Sequence, residues 1–191
     1  MMAAPTEERF ITHIASPLGE LTACSDGLHL TGLWFQDQRF FPAALCQSCA
    51  ERNLPVFAQT RQWLSRYFQG AEPDCFPPLW LSGTAFQMRV WELLREIPYG
   101  STVSYGELAR RVAVQGAGGF ASARAIGGAV ARNPIILLIP CHRVLGANAA
   151  LTGYAAGLDR KRRLLELERI ALCAQRNVEF VQISVGTPFH A

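Results

Sequence analysis

Apolar and polar positions alternate between residues 9 and 35, and the alternation breaks at Pro17-Leu18-Gly19 and Ser25-Asp26-Gly27. A period of two, interrupted by turn residues, predicts a small antiparallel sheet. From Pro55 to Gly70 the spacing becomes helical, with Phe57, Trp63, Leu64, Tyr67 and Phe68 on the apolar face. Pro77-Pro78 and Ser82-Gly83 then read as a linker. Thr84-Ala85-Phe86-Gln87 carries a capping-box pattern, in which a hydroxyl and a glutamine side chain satisfy free amides at a helix start. That helix should stop before Pro98. Ser104-Tyr105-Gly106-Glu107 repeats the pattern and opens a short helix through Leu108 and Val112. After a glycine-rich turn, a third helix is expected from Ala121 to Arg132, ended by Asn133-Pro134. Two short helices joined by a turn predict a helix-turn-helix. Ile135 to Ile139 is a continuous apolar run, expected as a buried strand that delivers Pro140-Cys141-His142-Arg143-Val144. A final helix is expected from near Asp159, carrying Leu164, Leu165 and Leu167; beyond Ile170 the pattern fades.

The 191 residues, half of them apolar, suffice for one large domain or two small ones with real cores. No apolar run reaches membrane-spanning length, and MMAAPTEERF lacks the pattern of a secretory signal, so a cytoplasmic protein is expected. Six cysteines at irregular positions then favour reduced thiols over a disulfide framework. The net charge of +3 says little, but its distribution says more: residues 1–85 hold 5 basic and 8 acidic side chains, residues 86–170 hold 12 and 6. A basic second segment attracts a phosphate backbone, although a solvated arginine-rich surface has the same composition. The third helix is nearly all small residues (Ala121, Ser122, Ala123, Ala125, Gly127, Gly128, Ala129, Ala131), with Arg124 near its start. Small residues permit close approach, either to the protein's own core or to the floor of a nucleic-acid groove.

A lone cysteine is usually a small buried hydrophobe. Cys141 differs in following a buried apolar run and preceding His142, an imidazole placed to take its proton. At Ile139-Pro140-Cys141-His142-Arg143-Val144 the sequence resembles the O6-alkylguanine-DNA alkyltransferases. The resemblance extends through Phe86 to Trp91, Val103 to Ala109, Ala123 to Gly127, Asn133-Pro134, Leu151 to Tyr154, Arg160-Lys161, and Leu164-Leu165 with Glu168. Ser16-Pro17-Leu18-Gly19 and the strands after it resemble the family's ribonuclease-H-like domain more loosely.

The resemblance implies an α+β protein. Residues 1–83 would form a ribonuclease-H-like α/β domain with its linker, and residues 84–170 a mostly helical catalytic and DNA-binding domain with a helix-turn-helix. Residues 171–191 would be a tail without assignment. The implied partner is double-stranded DNA carrying an alkylated guanine, met by a monomer without cofactor or metal. Cys141 would accept the alkyl group in a single turnover. His142 would deprotonate it through a water, Glu168 would orient the histidine, and Tyr105 would donate to the departing base. Asn133 would brace the active-site turn. The carbonyls of Cys141 and Val144 would accept from the guanine amine, and Thr152 would face O6. The reacting base must leave the stack; Arg124 would fill the gap, while Ser122, Ala123 and Gly127 let the helix enter the minor groove.

Three features depart from the family pattern. Val114 to Gly119 looks like an insertion within the helix-turn-helix, Asn148-Ala149 stands where Asn-Gly is usual, and the tail has no counterpart. Cys24 and His29 match the spacing of two structural zinc ligands in vertebrate members and Cys75 lies near where a third would be expected, but no fourth ligand is evident, and structural zinc takes four. Cys46-Gln47-Ser48-Cys49 is a single CxxC outside a thioredoxin-like context. Two readings from other classes compete: a non-catalytic lesion-binding protein, against which Cys141 argues, and a cysteine hydrolase, which would need an oxyanion site.

Overall fold

The computed structural model describes residues 8–115 and 122–169. The expected helix start at Ala121, most of the insertion, Cys173 and the tail at 171–191 lie outside the described residues. The alternating N-terminal segment forms β1 (Phe10–Ile14), β2 (Leu21–Ser25) and β3 (Leu30–Phe35), antiparallel throughout, with Phe10 opposite Ser25 and Leu21 opposite Phe35. Gly19 and Gly27 turn the chain between them at positive φ, where a Cβ would strain the backbone. The sequence pattern did not include α1 (Ala43–Gln47) or β4 (Ala50–Glu51), which lies parallel to β1 and completes the order β3-β2-β1-β4. Two residues of strand are too few to show a period.

Helix α2 (Pro55–Phe68) begins with proline at its first turn, where no amide is needed, and lays Val56, Phe57, Trp63, Leu64 and Tyr67 on the sheet. In α3 (Ala85–Arg95) the capping box forms reciprocally: Gln87 N donates to Thr84 Oγ1 at 3.2 Å and Thr84 N to Gln87 Oε1 at 2.9 Å. In α4 (Tyr105–Gln115) only half of the box forms. Glu107 N donates to Ser104 Oγ, while the Glu107 carboxylate turns to Arg110 and Arg111 one turn later. Helix α5 (Ala123–Ala131) is capped by Ser122, whose hydroxyl accepts from Ala125 N. Helices α3, α4 and α5 pack on one another, and Trp91 Nε1 donates to the Ala129 carbonyl, so the small residues at the end of α5 serve helix packing. A last helix, α6, covers residues 158–169.

Residues 135–139 are buried as expected but are not a strand. They fold into a tight turn in which Ile139 N donates to the Ile135 carbonyl and Leu138 N to that of Ile136, with Leu137 at φ 70°. A continuous apolar run reports burial and not conformation; Leu137 accepts left-handed backbone because the turn is enclosed on all sides.

The outer edge of β3 is paired twice with later parts of the chain. Leu30 bonds Pro78 and Trp80, while Leu33 N donates to the Pro134 carbonyl and the Leu33 carbonyl accepts from Ile136 N. One apolar core runs from the sheet and α2 through α3, α4 and α5 to Leu164 of α6. The N-terminal sheet thus acts as a ledge on which the turn leading to Cys141 rests.

Candidate active site

Asn133 stands at the head of this turn and is buried. Its Nδ2 donates to the Ile139 carbonyl at 2.7 Å, its Oδ1 accepts from Ile135 N at 3.0 Å, and its amide also reaches the Cys141 thiol. One side chain therefore closes the loop that presents the nucleophile. Cys141, at 3% exposure, opens a single 3-10 turn, Cys141–Arg143, that feeds β6 (Val144–Leu145), and β6 pairs in parallel with β5 (Val103–Ser104) at the foot of α4.

The thiol lies at the bottom of a pocket of about 700 Å³. Its walls include Tyr105 from α4, Ala123 and Gly127 from α5, and Gly146, Thr152 and Gly153 from the loop after β6. A purine fits a space of this size. Tyr105 donates its hydroxyl to the Gly153 carbonyl at 3.0 Å, and burial, then the nearby cysteine, push its phenol up to about 12, so it remains a proton donor at neutral pH. Gly153 sits at φ 54°, and a Cβ there would lie 3.0 Å from the Tyr105 hydroxyl. Gly146 must also lack a side chain, since a Cβ would meet Thr152 Oγ1 at 2.9 Å. In the loop between them, Asn148 and Ala149 both take positive φ, so the departure from Asn-Gly places a β-carbon where backbone strain is real.

Behind the thiol lies a buried polar network. His142 Nε2 is 2.7 Å from Glu168 Oε1, which makes Nε2 the protonated nitrogen facing a carboxylate. Nδ1 is then the basic nitrogen, and it is a buried atom with no hydrogen-bond partner among the described residues. Glu168 also receives Arg143 Nε and Nη2 and the amide of Gly100. Burial opposes its charge, yet hydrogen bonds and charge from His142 and Arg143 hold its carboxyl at about 2. Arg143 is the permanent charge in this set, because burial keeps the His142 imidazole below its ordinary value despite Glu168. Burial pushes the Cys141 thiol up to about 11, opposed by Asn133, Lys161 and local backbone amides. The thiol at rest is protonated and needs a base to act.

The sequence reading gave no role to Lys161 or Arg143 and placed Tyr67 only on an apolar face. Lys161 is wholly buried, and its ammonium donates to the carbonyls of Val144, Thr152 and Gly153, pinning the loop around the pocket. The carbonyl of Val144, expected to meet the guanine amine, shares its lone pairs with Lys161. Burial lowers the lysine to about 8, while the cysteine beside it works in the opposite direction. Tyr67 bonds Glu168 directly. A lysine in a helical repeat and a tyrosine on an apolar stripe carry no sequence signal for either role.

Ser122 and Arg124 do not line the pocket; they are exposed at the start of α5, beside its mouth. The candidate zinc ligands are not assembled. Cys24 is buried against Cys46 and Cys49 under Trp34, His29 is paired with Asp26 at 3.0 Å, and Cys75 is exposed on a separate surface cleft. Among the described residues no group of three or more metal-ligating side chains converges. Burial and the neighbouring thiols push Cys46 up to about 11, an inert protonated thiol.

Residues 10–81 match the family model described as the ribonuclease-like domain of 6-O-methylguanine DNA methyltransferase, and residues 85–170 match its DNA binding domain. A methylated-DNA--protein-cysteine methyltransferase of Haemophilus influenzae is 45% identical over 163 residues, 84% of this chain and 87% of the relative. The homologous protein of Mycobacterium leprae is 45% identical over 154 residues, covering 81% and 88%. Among solved structures, the O6-methylguanine methyltransferase of Mycobacterium tuberculosis superposes with a TM-score of 0.73 at 42% identity, covering 85% of this chain and 94% of that one. The Mycobacterium tuberculosis protein in complex with DNA superposes equally well, at 41% identity over the same share of this chain. With both halves matched in order and a buried cysteine, histidine and glutamate beneath a pocket large enough for a purine, the chain belongs to the O6-alkylguanine-DNA alkyltransferases, in their bacterial form.

Proposed function

We propose that this protein repairs DNA by moving an alkyl group from guanine O6 to Cys141, once per molecule. The observation that carries the proposal is the position of the Cys141 thiol, at the floor of the pocket with Tyr105 on one side and the His142–Glu168 pair behind it. The thiol proton passes to His142 Nδ1 through a water, and the imidazolium is stabilised by Glu168 across Nε2. Sulfur attacks the alkyl carbon in line; the S–C bond forms as the C–O6 bond breaks, and the electron pair leaves with the base. Tyr105 donates to the guanine ring as that charge develops, and the thiol proton ends on the released guanine. No oxyanion hole is required, because attack is at saturated carbon. The thioether that remains has no partner group to reverse it.

Within this reading Asn133 holds the turn, the carbonyls of Cys141 and Val144 accept from the guanine amine, and Thr152 faces O6. The nucleotide is extruded, at a cost of about a few kcal/mol, before it can reach the pocket. Arg124 then occupies the gap, with Ser122, Ala123 and Gly127 offering no bulk to hold the helix off the groove. The functional units are residues 1–83 and 84–170, followed by the tail at 171–191, in a cytoplasmic monomer whose thiols stay reduced. Incubation with duplex DNA carrying labelled O6-methylguanine tests the proposal. Label should plateau at one alkyl group per protein, on Cys141, and Cys141→Ala should bind DNA yet take up none. Sustained turnover, or label on another cysteine, contradicts it.

A further inference from the structure

The phenol of Tyr67 sits at the join between the two halves of the chain. It donates to Glu168 Oε1 at 2.7 Å and lies 3.3 Å from His142 Nε2, across 101 and 75 residues of sequence. Its ring stacks on Trp63 at 5.2 Å and meets Tyr99 and His142 edge-on. Phenylalanine would keep all of that packing. What phenylalanine would lose is the hydroxyl, with its hydrogen bond to the same oxygen that receives the histidine Nε2–H and its longer contact with Nε2 itself. The other donors to this carboxylate, His142, Arg143 and Gly100, come from the C-terminal half; Tyr67 comes from α2, on the far side of the linker.

We propose that Tyr67 is a positioning residue of the alkyl-transfer relay, by which the N-terminal half sets the orientation and basicity of His142 through Glu168. The inference rests on the assignment of Cys141 and His142 made above. Two physical effects follow from the geometry. With its proton committed to Oε1, the phenol has none to give to Nε2, so the imidazole keeps its proton there and its lone pair at the buried Nδ1. The phenol also takes part of the charge on Oε1, which makes the carboxylate a weaker acceptor and the imidazole less basic. Burial, then Glu168, keep the Tyr67 phenol far above its ordinary value, so it stays a donor across the working range. The other ionisable groups facing His142 and Glu168 are Arg143 and Tyr99 on one side and Cys141, Lys161 and Tyr154 on the other.

The test is the pH profile of single-turnover transfer, read with the full-length protein on both duplex DNA and a free O6-alkylguanine base. In Tyr67→Phe, Glu168 becomes a stronger acceptor, His142 becomes more basic, and the acid limb should move to higher pH by about half a unit, slowing transfer about threefold below the limb. The plateau should stay at one alkyl group on Cys141, and DNA affinity should not change. Site-specific 3-fluorotyrosine at position 67 keeps ring and hydroxyl but donates more strongly, so its limb should move to lower pH; it also covers the case of a Tyr67→Phe protein that does not fold. A limb that stays in place in the fluorinated protein, or a Tyr67→Phe protein slowed equally at every pH, overturns the inference and leaves Tyr67 a packing residue. Failure of the wild type to label Cys141 is a different outcome, and overturns the assignment of the nucleophile instead.

Discussion

Replacing Glu168 by Gln removes the charge at the centre of the buried network and nearly nothing else. The carboxylate has no exposure to solvent, and it is held at about 2 against an ordinary 4.5. At about 1.4 kcal/mol per pH unit, that difference corresponds to ~3 kcal/mol of folding stability. A depressed carboxyl stabilises the fold fully above its unfolded value, and the stabilisation fades as pH falls from about 4.5 toward 2. Glutamine has nearly the shape of protonated glutamate and leaves the Arg143 charge buried without a counter-charge, with one neutral amide oxygen and the Ile97 carbonyl to bond. Urea unfolding should therefore place the variant about 3 kcal/mol below wild type at neutral pH, and only about 1 kcal/mol below it at pH 3. Acid also destabilises both proteins through His142, whose depressed value lets the unfolded chain bind a proton first below about 6.5; Glu168 opposes that depression, so this loss is larger in the variant and makes the convergence at pH 3 partial. A difference that stays constant between the two pH values would show that Glu168 contributes shape and not charge. Transfer kinetics supply the second readout. A free thiol ionises near about 8.5, and on that basis alkali should rescue a broken relay; burial moves Cys141 up to about 11, so the variant should remain slow through mildly alkaline pH.

Two further substitutions test the turn and the DNA face. Asn133→Ala strips two buried backbone partners at about 1–3 kcal/mol each and should lower stability by about 2–5 kcal/mol in thermal unfolding; an unfolding midpoint equal to wild type would remove the bracing role. Arg124→Ala should slow repair in duplex DNA by about tenfold or more, ~1.4 kcal/mol, while reaction with the free base hardly changes; equal slowing on both substrates would make Arg124 a residue of the fold.

What the residues themselves made legible is local: a capping box is four adjacent residues, and Cys141 and His142 are neighbours after one apolar run, whereas Glu168, Tyr105, Thr152 and Asn133 entered only through the family resemblance. The parts that escaped are those in which distant side chains meet. Tyr67 obeys the helical period of α2 so well that its hydroxyl is invisible in the pattern, and Lys161 looks like any cation in a basic helix until its ammonium is found among three carbonyls. The run at 135–139 was misread because burial on every side erases periodicity, whichever way the backbone turns. Half of the second capping box failed because Glu107 had two arginines within reach, a competition among side chains that a four-residue motif does not contain.

Lys161 is also the sole lysine in the sequence, and it is sealed inside the folded chain. The surface therefore presents no primary amine other than the chain's own amino terminus, and at neutral pH the permanent side-chain cations that a phosphate meets there are guanidinium groups. Reagents that acylate amines, used to attach proteins to beads, dyes or cross-linkers, will find one end of the molecule and leave the pocket untouched. An acyl group appearing on Lys161 would then be a clock, timing how often the loop that it ties down comes open.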